Sequence, residues 1–275
     1  MKYRVIAKEI EFESKGLHTG VHSRAVLKPS NEPNIINFIV NGTKIQSNLI
    51  NVVDTNRSTT LGKDSVKIQT VEHLLSVLYC LFIKNIDIYV DGKEIPALDG
   101  SAAAFVEKIL SFGLKEIEQE VEFLEIKNSF KFEINNSKYE VVPSDKFIIN
   151  CTLTTDKSEI INNQNIEIEI NIDNFTKQIA YAKTFCYLDE VQKLQSKGYG
   201  LGGSLENVIV VDKNHILNPD VLTYNKDEFV RHKVLDFLGD LSLCNTYFKA
   251  KFIIKNPSHY TNIEFCRQLM SYINN

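Results

Sequence analysis

Apolar positions recur along the chain in two rhythms. Residues 1–60 alternate short β-type runs with turns, and residues 3–12, 24–27 and 35–40 read as strands. KGLHTG (residues 15–20), KPSNEPN and the Asn41-Gly42 pair break them. Then TVEHLLSVLYCLF, residues 70–82, is apolar at almost every position, which predicts a helix buried on all sides with Thr70 as its N-cap. A strand is expected over 85–90. A turn at Asp99-Gly100 then leads into an amphipathic helix ending near Leu110. Residues 113–122 are charged and irregular, the natural boundary between units 1–118 and 119–275.

The second half echoes the first. YEVVPS (139–144) matches AVLKPS (25–30), and each is followed by an apolar strand. Residues 227–243, DEFVRHKVLDFLGDLSL, form a second long helix, followed by the strand KAKFII as the first is followed by NIDIYV. A duplicated α+β unit would set two equivalent helices together around a pseudo-twofold axis. His73 and His232 would then be within reach of one site.

The chemistry concentrates on those two helices. His232, Asp236 and Asp240 recur every four residues, one face of a helix with 3.6 residues per turn, bordered by Lys233. Val230, Val234, Leu238 and Leu241 fall roughly opposite. A His and an Asp one turn apart can grip one metal ion, although the same spacing also serves a surface pair worth a few tenths of a kcal/mol. Glu72 and His73 sit side by side on the otherwise apolar helix. Either they face solvent in an ordinary first turn, or they are buried and need a partner. His18, in the first turn, reads as a plain loop residue.

Composition narrows the class without naming it. The 275 residues carry a net charge of −4, are 43% hydrophobic and 24% charged, and offer no basic surface for nucleic acid. No apolar run approaches the ~20 residues of a membrane span, and the amino-terminal stretch lacks a signal-peptide core. Five cysteines without a CxxC pair suit a reducing cytoplasm. Residues 181–212 are rich in glycine, but GYGLGG lacks the spacing and setting of a dinucleotide fingerprint. That stretch could be a wall for an apolar substrate chain, or a hairpin with tight turns.

His73, His232 and Asp236 together make a three-ligand set, with Glu72 beside the first as a general base. Catalytic zinc commonly keeps three protein ligands and one open position, and lowers the pKa of its water to about 7. Two histidines and a carboxylate also describe non-haem iron oxygenases. The adjacent glutamate favours hydrolysis.

TVEHL, IPALDGSAAAFV, AKTF, LGGS and DEFVRHKVLDFLGDL, with the GLHTG turn, closely resemble the UDP-3-O-acyl-N-acetylglucosamine deacetylases, zinc amidases of lipid A biosynthesis. The resemblance runs from about residue 10 to 268. It implies an α+β fold of two similar domains, with helices sandwiched between two outer sheets. It implies zinc, with Fe2+ as the alternative in the cell, on His73, His232 and Asp236, and Glu72 as the base for attack by metal-bound water. By the same resemblance His259 stabilises the oxyanion and protonates the amine, and Asp240 keeps it cationic. Thr184 hydrogen-bonds the oxyanion and Lys233 is a cation near the substrate. Phe185, Val191, Gly203, Ser204 and Val210 belong to the insert, about 186–214, that forms the acyl passage. The implied partner is a UDP-sugar acyl substrate, UDP-3-O-[(R)-3-hydroxyacyl]-N-acetylglucosamine, which loses acetate in the cytoplasm to a monomeric enzyme without membrane insertion. The sequence departs from the family where Ser258 stands in place of the usual glycine before His259, and where TNIE follows. The chain's end at Asn275 is read as leaving no fused dehydratase domain.

Overall fold

A computed structural model describes residues 1–274 of the chain. The fold is α+β and is built around two five-stranded orders that match strand for strand. The first sheet runs Ile10–Lys15, His22–Pro29, Ile86–Asp91, Ile36–Val40, Thr43–Gln46. The second runs Phe130–Ile134, Ser137–Pro143, Tyr247–Lys255, Phe147–Leu153, Gln164–Glu169. In each, the central strand pairs antiparallel with the second and parallel with the fourth. The AVLKPS and YEVVPS echoes occupy the same place, with Pro29 opposite Ile86 and Pro143 opposite Ala250. A short strand, Phe123–Glu125, extends the second sheet by pairing with the start of Tyr247–Lys255.

A parallel pair needs a crossover, and in each half it carries a buried helix. Glu72–Cys80 precedes one central strand and Glu228–Ser242 the other. Leu74, Leu75, Val77 and Leu78 are fully buried, as are Val230, Val234, Leu238 and Leu241. At about 1.5–3 kcal/mol for each such side chain, the two helices are held by packing more than by helix propensity. One face of each sheet joins them in a continuous core, which includes Phe38 and Ile88 from the first and Ile149 and Phe252 from the second. The two helices cross at Gly239, against the carbonyl of Glu72. A further helix follows each central strand, Ala103–Phe112 in the first half and His259–Asn274 in the second.

Three local expectations need correction. Thr70 does not cap the first helix with its side chain. Its φ is +60°, its hydroxyl donates to Glu94 Oε1 at 2.8 Å, and the helix opens from Val71. A branched residue in this region costs on the order of 1–3 kcal/mol, and the Glu94 bond helps to hold it there. Residues 3–12 are not one strand but two, Lys2–Ile6 and Ile10–Lys15. Residues 113–122 are not irregular, because Leu114–Glu120 pairs antiparallel with Lys2–Ile6. No described helix is long and apolar enough to cross a membrane.

Candidate active site

The helix crossing brings the first turn of Glu72–Cys80 against the middle of Glu228–Ser242. His73, His232 and Asp236 are buried there, with one ligand atom from each lying within 4.8 Å of the others. The Nε2 atoms of His73 and His232 are each 3.4 Å from Asp236 Oδ1. Two atoms held ~2.1 Å from one ion at a tetrahedral angle lie ~3.4 Å apart, so the donor set fits a single divalent cation. His232 Nδ1 lies 3.3 Å from the Ala182 carbonyl, which can only accept. The ring proton therefore sits on Nδ1, and Nε2 keeps its lone pair for a metal. Burial pushes the His232 pKa down to about 3, so the ring is neutral, as a ligand must be.

Asp236 divides its oxygens. Oδ1 faces the two imidazoles, while Oδ2 accepts from Lys233 Nζ at 2.8 Å. Burial alone would raise its pKa; His232, Lys233 and His259 outweigh that and hold it well below the usual carboxylate range. Lys233 Nζ also lies 5.4 Å from the centre of the Phe185 ring.

Glu72 and His259 stand beside this cluster. Glu72 Oε2 accepts the Thr59 N–H at 3.0 Å, and Oε1 is 3.7 Å from His259 Nε2. Burial dominates the Glu72 pKa and raises it to about 7, against the pull of His259 and His73. His259 opens the helix His259–Asn274, and its Nδ1 is 2.9 Å from Asp240 Oδ2. Burial would lower the His259 pKa, but Asp240, Glu72 and Asp236 more than reverse this and raise it to about 10. A carboxyl of raised pKa therefore faces an imidazole whose pKa is also raised. Ser258, where the sequence departs from the resemblance, closes the start of this helix through its hydroxyl, 3.0 Å from that of Thr261.

The cluster lies in the wall of a cavity of about 540 Å³. Phe185, Val191, Gly203, Ser204 and Val210 line it, together with Thr184, Lys233 and the Glu72–His73 pair. Asp240 does not line it and lies behind His259. Residues 181–212 do not form a simple hairpin. Phe185–Tyr187 and Ile209–Val211 pair in parallel, with the helix Val191–Ser196 between them. Thr184 is fixed through its backbone, its N–H to Gly100 O at 2.9 Å and its carbonyl to Ile209 N–H at 2.8 Å.

The glycine loop of the insert docks on the first turn of the chain. Leu201 N–H donates to His18 O at 3.1 Å and Gly202 N–H to Leu17 O at 3.0 Å. A Cβ on Gly202 would sit 2.1 Å from Gly16 O, so only glycine allows this approach. His18 is accordingly not a plain loop residue. It is buried and lines the cavity.

Three further residues support the site without having been visible in the pattern. Glu94 receives the N–H groups of His18 and Thr19 and the hydroxyls of Thr19 and Thr70, at 2.8–2.9 Å. Thr59 and Asn262 both donate to Asp240. An isolated Thr in TNRSTT or Glu in DGKEIP carries no periodic signal. Only the tertiary fold reveals what they touch.

Two imidazoles and a carboxylate at ligand spacing, with a glutamate and a third histidine beside them, fit a metal-dependent amidohydrolase. The sequence comparisons agree with that class and narrow it. The profile of LpxC, UDP-3-O-acyl N-acetylglycosamine deacetylase, matches residues 3–271. UDP-3-O-acyl-N-acetylglucosamine deacetylase of Nautilia profundicola is 37% identical over 98% of this chain and 92% of its own length. The enzymes of that name from Myxococcus xanthus and Campylobacter lari are 36% and 37% identical, again over 98% of this chain, and 86% and 92% of theirs. The chain belongs to this deacetylase family of lipid A synthesis.

Proposed function

We propose that this chain hydrolyses the N-acetyl amide of UDP-3-O-[(R)-3-hydroxyacyl]-N-acetylglucosamine, releasing acetate and the free 2-amine, with one zinc ion on His73, His232 and Asp236. The observation that carries the reading is the meeting of His73 and His232 at one oxygen of Asp236, with Glu72 on the adjoining residue. When bound, the cation supplies Lewis acidity, polarising the amide carbonyl and making water a stronger acid.

The side chains do the rest. Glu72 takes a proton from the attacking water as its oxygen bonds to the acetyl carbon, a role worth about 10²–10⁴ in rate. Thr184 and the cationic His259 donate to the oxyanion that forms. As the C–N bond breaks, His259 Nε2 passes its proton to the departing amine nitrogen. Asp240 on Nδ1 holds the ring in the required orientation. Lys233 compensates charge on Asp236 and faces the substrate side of the cavity. Phe185, Val191, Gly203, Ser204 and Val210 hold the acyl chain along the apolar wall.

On the same reading, residues 1–118 and 119–275 are the two duplicated units, each contributing one helix to the site. The enzyme works as a cytoplasmic monomer, in keeping with its five free cysteines. Acetate release from the UDP-sugar, with the metal identified in the same preparation, tests the proposal. Substrate binding without acetate release, or iron with oxygen consumption, would replace it.

A further inference from the structure

Thr59 touches both halves of the catalytic apparatus while reaching no solvent, with an exposure of 0%. Its N–H donates to Glu72 Oε2 at 3.0 Å. Its hydroxyl donates to Asp240 Oδ1 at 2.5 Å and lies 3.3 Å from His259 Nδ1. Its carbonyl accepts the N–H of Val71 at 3.3 Å, which ties it to the start of the Glu72 helix. One residue therefore bonds to the carboxylate read as the base and to the carboxylate behind the acid.

The division of labour on Asp240 makes the hydroxyl specific. Oδ2 is shared by His259 Nδ1 at 2.9 Å and Asn262 Nδ2 at 2.8 Å, and Asn262 is itself fixed by the Tyr139 hydroxyl on its Oδ1 at 2.7 Å. Among the described residues, Thr59 supplies the side-chain donor to Oδ1. Without it the carboxylate can turn about its Cβ–Cγ bond, carrying the His259 ring with it. A β-branched residue has few χ1 rotamers, so Thr59 holds its hydroxyl more firmly than a serine would.

We propose that Thr59 is a positioning residue that sets Glu72 and the Asp240–His259 pair in register with each other. It touches no substrate and acts through Asp240 and Glu72. This inference rests on the reading of Glu72 and His259 as base and acid.

A double-mutant cycle on the full-length zinc-loaded enzyme tests it. Thr59→Val keeps the shape and the N–H but removes the hydroxyl. It is expected to lower kcat by about 10- to 100-fold, the range for losing a hydrogen bond to a charged group. KM and zinc content are expected to stay within about twofold of wild type, and Thr59→Ser should recover most of the rate. In an Asp240→Asn background the same Thr59→Val change should cost less than about threefold, because its target is already altered. Equal losses in both backgrounds, or no recovery by serine, would overturn the proposal. Should Thr59→Val fail to fold, Thr59→Ala enters the same cycle with the same expected outcomes. Glu72→Gln, measured alongside, separates the two levels. If it keeps full activity, the base assignment fails. If it is inactive while Thr59→Val matches wild type, only the role given to Thr59 fails.

Discussion

Gly239 packs so tightly on Glu72 that a Cβ there would lie 2.1 Å from the Glu72 carbonyl oxygen. This contact fixes how closely the two helices approach, and hence the gap between His73 and the His232–Asp236 face. Gly239→Ala must push the helices apart. The expected cost is about 1–3 kcal/mol of unfolding free energy, as for other overpacked cores, together with weaker metal binding. Urea unfolding and a zinc titration measure the two effects, and an alanine variant with unchanged stability would show that the crossing is not tight.

Glu72 is held by a backbone N–H and does not belong to the ligand cluster. Glu72→Gln should therefore retain the metal and lose about 10²–10⁴ in kcat, the usual worth of a general base. Metal content and acetate release on one sample separate the two quantities.

The pH dependence follows from two groups with opposite requirements. Glu72 must be ionised to accept a proton, so the rate falls as pH drops through its raised pKa of about 7. A bound cation favours the ionised form and moves this acid limb to lower pH. His259 must be protonated to donate, so the rate also falls as pH rises through its raised pKa of about 10, a limb the same cation moves to lower pH. A bell-shaped profile of kcat/KM is expected, and His259→Gln should remove the alkaline limb along with most of the rate. A wild-type rate that keeps climbing past pH 10 contradicts the role given to His259.

Glu94 makes a separate prediction about stability. It is 1% exposed and receives four hydrogen bonds from Thr70 and the first turn, so Glu94→Ala leaves several buried donors without a partner. A loss of about 3 kcal/mol or more is expected, with Glu94→Gln milder because one oxygen still accepts. Thermal or urea unfolding of the metal-free proteins gives the comparison.

The sequence disclosed the parts of this molecule that repeat. The apolar helix over 70–82 and the four-residue spacing of His232, Asp236 and Asp240 are local patterns, and they survive folding as buried faces. The AVLKPS and YEVVPS echo led to the matched sheets, because register on a two-sided strand constrains its side chains. What stayed hidden depends on contacts between distant segments. The charged run Leu114–Glu120 looks irregular because it sits in a two-stranded pair, largely solvent-facing, where polar residues are tolerated. Thr70 has the chemistry of an N-cap, but Glu94 competes for its hydroxyl. His18 carried no signal beyond its turn, since its burial is completed by a glycine loop far along the chain, at Leu201 and Gly202.

On the proposed reading, His73, His232 and Asp236 hold one catalytic zinc between them. Metal analysis of the purified chain, paired with acetate release and repeated on His73→Ala, His232→Ala and Asp236→Ala, is the decisive measurement. One zinc per chain is expected in the wild type, with loss of both metal and activity in each variant. Full zinc occupancy and undiminished deacetylation after removal of either histidine would contradict it.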